Sequence, residues 1–249
     1  MRPMRVFWIS LTLAAAGCGH RGPVTSPQPE VLLARTRVQF RTGDFGHATQ
    51  NLRRLLFELP PNDPALPEVH YLLAESQFQQ GQYVEAAHEF RQTADQFPAT
   101  AYAPLALLRA GDANLRLWRN PELDPTSGQT ALAIYQELAG RYPDSDAAAR
   151  AQLHVRELRE WFAQKDYKNG VFYYKRGAYD SGIIYFKDVV ANYPETPQAG
   201  DALMRLADSY RAIGYREELR ETCAHARRFY PQAVGIEQTC PPDSAAGTP

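Results

Sequence analysis

The residues able to do chemistry in this chain are its histidines, cysteines, carboxylates and one run of rings and cations. Six histidines are present. None forms HExxH, and none pairs with cysteines at zinc-finger spacing. His154 and Glu157 share a helical face, but no third ligand stands in register with them. GxSxG, a phosphate-binding P-loop and a dinucleotide glycine fingerprint are absent too. Asp and Glu mostly stand beside Arg or Lys, as in RELRE and YREELRE, the pattern of exposed helix faces with weak charge pairs. The expectation is therefore a chain with no catalytic residue, no metal and no cofactor. The run Tyr173-Tyr174-Lys175-Arg176 is different, because rings beside cations can stack on nucleic-acid bases or grip a protein surface.

Charge argues against nucleic acid. Met1 to Arg5 is a short basic segment, and Val6 to Gly17 is a 12-residue run without charge. That run is too short to span a bilayer but suits the apolar part of a secretory signal. Losing it removes Arg2 and Arg5, taking Lys plus Arg from 27 to 25 against 28 acidic residues. An exported, slightly acidic protein without a basic stripe is a poor nucleic-acid binder. Ala14-Ala15-Ala16-Gly17-Cys18 resembles a bacterial lipobox, which makes Cys18 the candidate lipidation site, although Ala15 stands where leucine is usual. Cleavage after Ala16 is the alternative. Cys223 and Cys240 remain, and in an oxidising compartment they could form a disulfide or stay as small core residues.

The elements that position these residues follow from a repeat. Gly43, Gly81, Gly177 and Gly214 are each followed 17 residues later by a proline: Pro60, Pro98, Pro194 and Pro231. Five residues after each glycine stand Ala48, Ala86, Gly182 and Leu219; nine after stand Leu52, Phe90, Phe186 and Cys223. Ala131, Tyr135, Tyr142 and Pro143 form a further copy without the glycine. Seven residues before the glycines stand Thr36, Ala74, Gly170 and Ala207, with Gly111 at the equivalent place. These offsets match the tetratricopeptide (TPR) repeat, in which a turn glycine separates two helices that cross at small residues. The predicted fold is all-α, a TPR superhelical solenoid of about five helix-turn-helix repeats, or about ten helices. They are expected near 30–42, 45–59, 66–80, 83–97, 101–117, 128–142, 146–176, 179–193, 198–213 and 215–230.

Around the array, residues 1–18 read as a lipoprotein-type signal, 19–29 as a Pro/Gly-rich tether, 30–238 as the repeats and 239–249 as a disordered tail. Arg119 to Ser127 replaces a tight turn with a long loop suited to contacts. AAARAQLHVRELREWFAQ adds about four helical turns before the fourth repeat, where the solenoid's curvature should change. Gly182 stands where alanine is usual, at a helix cost of about 1 kcal/mol.

Lys165 to Gly214, KDYKNGVFYYKRGAYDSGIIYFKDVVANYPETPQAGDALMRLADSYRAIG, resembles the last two repeats of the BamD family, TPR lipoproteins of the bacterial outer-membrane β-barrel assembly machinery. The long preceding helix, five repeats and Cys18 agree with that family; before Tyr102 only generic repeat positions match. The resemblance implies a non-catalytic scaffold, lipid-anchored at the periplasmic face of a Gram-negative outer membrane. It implies C-terminal repeats that dock on the periplasmic domains of the barrel-forming subunit. The N-terminal repeats would receive unfolded outer-membrane proteins. Carried over by position, Tyr173, Tyr174, Lys175, Arg176 and Tyr179 lie at the partner-binding half, although Tyr173 also fits a helix-pair core. An adaptor for a cell-division, pilus or secretion assembly would use the same repeats. An envelope enzyme cleaving peptidoglycan would need a buried acidic residue in a cleft.

Overall fold

The computed structural model describes residues 28–240 except Pro121 and Leu123. The signal segment, Cys18, nearly all of the tether and residues 241–249 lie outside the described residues. The described residues form helices and connections only: α1 (Pro29–Arg41), α2 (Phe45–Glu58), α3 (Leu66–Gln79), α4 (Tyr83–Gln96), α5 (Tyr102–Leu117), α6 (Thr126–Arg141), α7 (Asp146–Tyr174), α8 (Tyr179–Asn192), α9 (Pro197–Ile213), α10 (Arg216–Phe229) and α11 (Ile236–Thr239). The first ten pair into the five repeats of a TPR solenoid.

Local chemistry sets the helix ends. Gly177 adopts φ +73°, so its N–H reaches the Tyr174 carbonyl at 3.0 Å while the Ala178 N–H reaches that of Tyr173 at 3.1 Å. This pair of hydrogen bonds closes the helix end, and the left-handed residue in it is far cheaper as glycine than as any side-chain-bearing residue. Gly43, Gly81 and Gly214 make the same closure. At the starts, Asp44 and Ser145 accept from the backbone N–H groups of His47 and Ala148. Pro29 and Pro197 occupy first helical positions, where a missing N–H costs nothing. Pro29 is thus helix rather than tether.

Packing follows the small residues foreseen at the crossings. Thr36, Ala74 and Ala207 are buried, as are Gly111 and Gly170. A Cβ on Gly111 would lie 2.4 Å from the Tyr135 ring, and one on Gly170 2.5 Å from the Phe186 ring. Glycine is required where the partner helix inserts its largest ring. Gly182 faces the Gly170 carbonyl, 3.3 Å from where its Cβ would stand, so its helix cost is offset by close approach of α7 and α8.

First helices of adjacent repeats touch one another (α1 with α3, α3 with α5, α5 with α7, α7 with α9), whereas second helices of adjacent repeats do not. First helices therefore line the inner side of a curved stack. The core runs as four successive clusters along it, as expected when each repeat buries only its neighbours' faces. The 29-residue α7 bridges two of them. Leu158 and Phe162 pack with the third repeat, and Ala163, Tyr167 and Val171 with the fourth.

Besides Pro29 and shifts of one or two residues at other helix ends, such as α7 stopping at Tyr174, two boundaries differ for identifiable reasons. The composition predicts a tail from residue 239, but Thr239 and Cys240 are buried, and Cys240 is disulfide-bonded to Cys223. The four-residue α11 is too short to show a period. Helix α6 begins at Thr126 rather than 128, because the Asp124 carboxylate accepts from the Thr126 N–H at 2.9 Å and starts it early.

Candidate functional site

The aromatic-cationic run sits at the C-terminal end of α7, where the helix turns at Gly177 into α8. Phe172 projects outward, 49% exposed, with the Arg176 guanidinium 3.5 Å from its ring centroid. Arg176 Nη1 also donates to the Phe172 carbonyl at 3.1 Å. Tyr173 is half-buried and stacks on Tyr185 of α8, centroids 5.6 Å apart and planes at 10°. Tyr174 points the other way, edge-on to Tyr179 at 5.4 Å and beneath Arg205 of α9 at 5.2 Å. Lys175 is exposed, with no hydrogen-bond or ion-pair partner among the described residues. On α8, Ile184 is also exposed, at 61%.

The five residues singled out by sequence thus divide. Tyr174 and Tyr179 join the α7–α8 packing, and Tyr173 shares its ring with Tyr185. Lys175 and Arg176 face solvent, where their charges also complement the negative end of the α7 dipole. Sequence reasoning misses three contributors: Phe172, Ile184 and Tyr185. Phe172 and Arg176 are four apart, the spacing that brings a ring under a guanidinium on one helix face. Exposure of Ile184 has no sequence signal.

The inner side of the second and third repeats carries a different constellation. Arg109 on α5 makes two bonds to the Glu75 carboxylate on α3, at 2.7 and 2.6 Å, and a third to Asp112 at 2.9 Å. Asp112 also accepts from the Tyr135 hydroxyl at 2.8 Å, and the Phe78 ring lies 3.9 Å from the guanidinium. Burial opposes the Arg109 charge, but Glu75 and Asp112 more than offset it, so its pKa is raised. Burial first, then the Glu75 charge, pushes the Tyr71 hydroxyl up to about 12. Burial and then Asp112 raise Tyr135 as well. Arg109, Glu75, Asp112 and Tyr135 satisfy one another, so the network ties the second and third repeats together.

His154 lies 3.5 Å from Glu157 and stacks on Tyr135. Among the described residues no three His, Cys, Asp or Glu side chains are grouped to hold a metal ion. No described helix is long and apolar enough to cross a membrane. The loop after α5 is pinned at its base: the Trp118 indole N–H donates to the Asp124 carbonyl at 2.8 Å, and the ring packs on Trp161, Phe162 and Gly128. At the far end, Arg211 and Arg227 donate to the carbonyls of Thr239 and Cys240, fastening α11 beside the disulfide.

The sequence from residue 27 to 225 matches the family YfiO, described as outer membrane lipoprotein. The chain belongs to this family. An outer membrane protein assembly factor BamD from Caulobacter vibrioides is 23% identical over 221 residues, covering 87% of this chain and 72% of the relative. One of the same name from Rickettsia prowazekii is 22% identical over 186 residues, covering 75% and 74%. Among solved structures, the P58(IPK) TPR domain is similar at a TM-score of 0.45 and 14% identity, covering 85% of this chain and 54% of that one. The YfiO match takes in the aromatic edge and nearly all of the paired helices; α11 and Cys240 lie beyond it.

Proposed function

We propose that this YfiO-family chain is a non-catalytic assembly factor for outer-membrane proteins, lipid-anchored through Cys18 at the periplasmic face of a Gram-negative outer membrane. It holds the periplasmic domains of the barrel-forming subunit at the α7–α8 edge, through the exposed Lys175 and Arg176, with Tyr173, Tyr174 and Tyr179 shaping that edge from the helix packing behind them. The inner side of the N-terminal repeats receives unfolded outer-membrane proteins. No cofactor or nucleic acid takes part. The observation that carries this reading is the edge itself. Phe172 exposes a ring beneath the Arg176 guanidinium next to Lys175, and Ile184 of α8 is exposed as well, a mixture of ring, aliphatic and arginine surface of the kind that anchors protein interfaces.

The test is recovery of the chain from detergent-solubilised envelopes. The barrel-forming subunit is expected with it, and recovery of a different envelope complex in its place would overturn the assignment. Cys18→Ala is expected to move the chain from the membrane to the soluble periplasmic fraction. Unchanged membrane fractionation would remove the anchor.

A further inference from the structure

Helix α1 is the first described helix, and among the described residues its helix contacts are with α2 and α3 only. Leu32, Leu33 and Thr36 point into the core. On the opposite face, at spacings of three and four, stand Val31 (59% exposed), Ala34, Arg35, Val38 (50% exposed) and Arg41. Its three arginines face one acidic residue on the helix, Glu30. Arg37 is spent on Glu68 of α3 at 2.6 Å, whereas neither Arg35 nor Arg41 has a carboxylate partner among the described residues. A stripe of short apolar residues flanked by unpaired arginines is the amphipathic pattern that lies in a bilayer interface, with the cations at headgroup level.

We infer that this outer face of α1 rests on a membrane surface containing anionic phospholipid. Two observations select that occupant over a second protein. Charge is the first, since phosphodiester headgroups supply the anions that Arg35 and Arg41 lack. Position is the second. Ten residues, Gly19 to Gln28, separate Cys18 from Pro29, and ten extended residues reach at most about 35 Å. An acylated Cys18 therefore confines α1 to the layer next to the bilayer, at a high effective concentration of lipid. The inference rests on the anchor proposed above. It adds to it an orientation: the N-terminal end of the solenoid lies on the membrane and the aromatic edge of α7–α8 is held away from it along the stack.

The test uses the full chain, purified in acylated form and reconstituted into phosphatidylethanolamine vesicles with or without phosphatidylglycerol. A photo-crosslinking residue replaces Val31, Val38 or, as control, the exposed Leu153 of α7. Lipid adducts are expected at Val31 and Val38 well above Leu153 and increased by phosphatidylglycerol. With each arginine near an anionic surface contributing about fivefold, Arg35→Glu with Arg41→Glu should lower the adduct yield by about tenfold or more. Yields at Val31 and Val38 equal to Leu153, or unaffected by phosphatidylglycerol and charge reversal, would overturn the inference. So would a protein adduct in place of lipid. The mass of the N-terminal peptide reads the anchor separately: an unacylated chain that still gives phosphatidylglycerol-dependent adducts removes the anchor and keeps the contact. An acylated chain whose yields match Leu153 does the reverse.

Discussion

Repeats one to three are joined across their boundaries by four ion pairs, whereas the second half relies on ring contacts within α7–α9 and on a disulfide that ties the end of α11 to α10. Arg37 pairs with Glu68, Arg109 with Glu75, Arg91 with Glu137 and Arg141 with Asp95, each pair linking one repeat to the next. From α7 onward, Arg159 pairs with Glu195, but the other links are of a different kind. Phe186 lies over Gly170, Tyr173 on Tyr185 and Tyr174 under Arg205, and Cys223 is bonded to Cys240. The first half therefore spends these charges between repeats, while Arg35 and Arg41 of α1 keep no carboxylate partner among the described residues. The second leaves Lys175 unpaired and Phe172 half-exposed. A partner-binding surface needs groups that the fold does not itself satisfy, and at the end of α7 the exposed Phe172 ring and the Arg176 cation stand together beside unpaired Lys175.

The largest test of this contrast is Phe186→Ala. A fully buried ring seated on glycine leaves a cavity that Gly170 cannot fill, and a loss of about 3–5 kcal/mol is expected by denaturant unfolding. Hydrogen exchange should show the loss concentrated in α7–α9; uniform loss along the chain would break the division. On the other side, Arg109→Ala leaves Glu75 and Asp112 without their shared cation and is expected to cost about 3 kcal/mol, centred on α3–α5. Cys223→Ser with Cys240→Ser opens a loop of 17 residues, worth up to about 3 kcal/mol by chain entropy. That loss should be confined to α10 and α11, with the first three repeats unchanged in exchange rate.

The smallest effect concerns a strained charge. Burial first, and the neighbouring Asp188 second, raise the Asp166 carboxyl above its ordinary 3.8. The folded state then holds this proton more tightly than the unfolded one. Ionisation costs stability as the pH rises from 3.8 through the raised value. Asp166→Asn should raise Tm at neutral pH by less than the roughly 3 °C that 1 kcal/mol is worth in a protein this size. The gain should vanish below the ordinary carboxylate range, and a gain that persists there would locate its cause elsewhere.

Much of this division is legible in the amino-acid sequence. Gly43, Gly81, Gly177 and Gly214 betray their turns because a left-handed backbone selects glycine, and Gly111 and Gly170 betray their crossings because a ring of the facing helix occupies the space of a Cβ. Helix α11 stays hidden because four residues carry no period. The Glu75–Arg109 link stays hidden because its partners are 34 residues apart, beyond any local spacing rule. At the candidate site, cations and tyrosines are legible as types and positions. Which of them turn outward is not, because exposure depends on how α8 lies across α7: Tyr174 is covered by Arg205 while its neighbour but one, Phe172, is not.

The most direct measurement is the affinity of the full chain for the periplasmic domains of the barrel-forming subunit, with and without Lys175→Glu and Arg176→Glu. Both side chains are exposed, so the fold should hold, with only a small fall in unfolding midpoint from the lost Phe172 contact and the reversed charge at the α7 dipole. Binding should weaken by about tenfold or more, as expected when opposed charges replace attractive ones at an interface. Unchanged affinity in the doubly reversed chain would contradict the assignment of the α7–α8 edge as the docking surface.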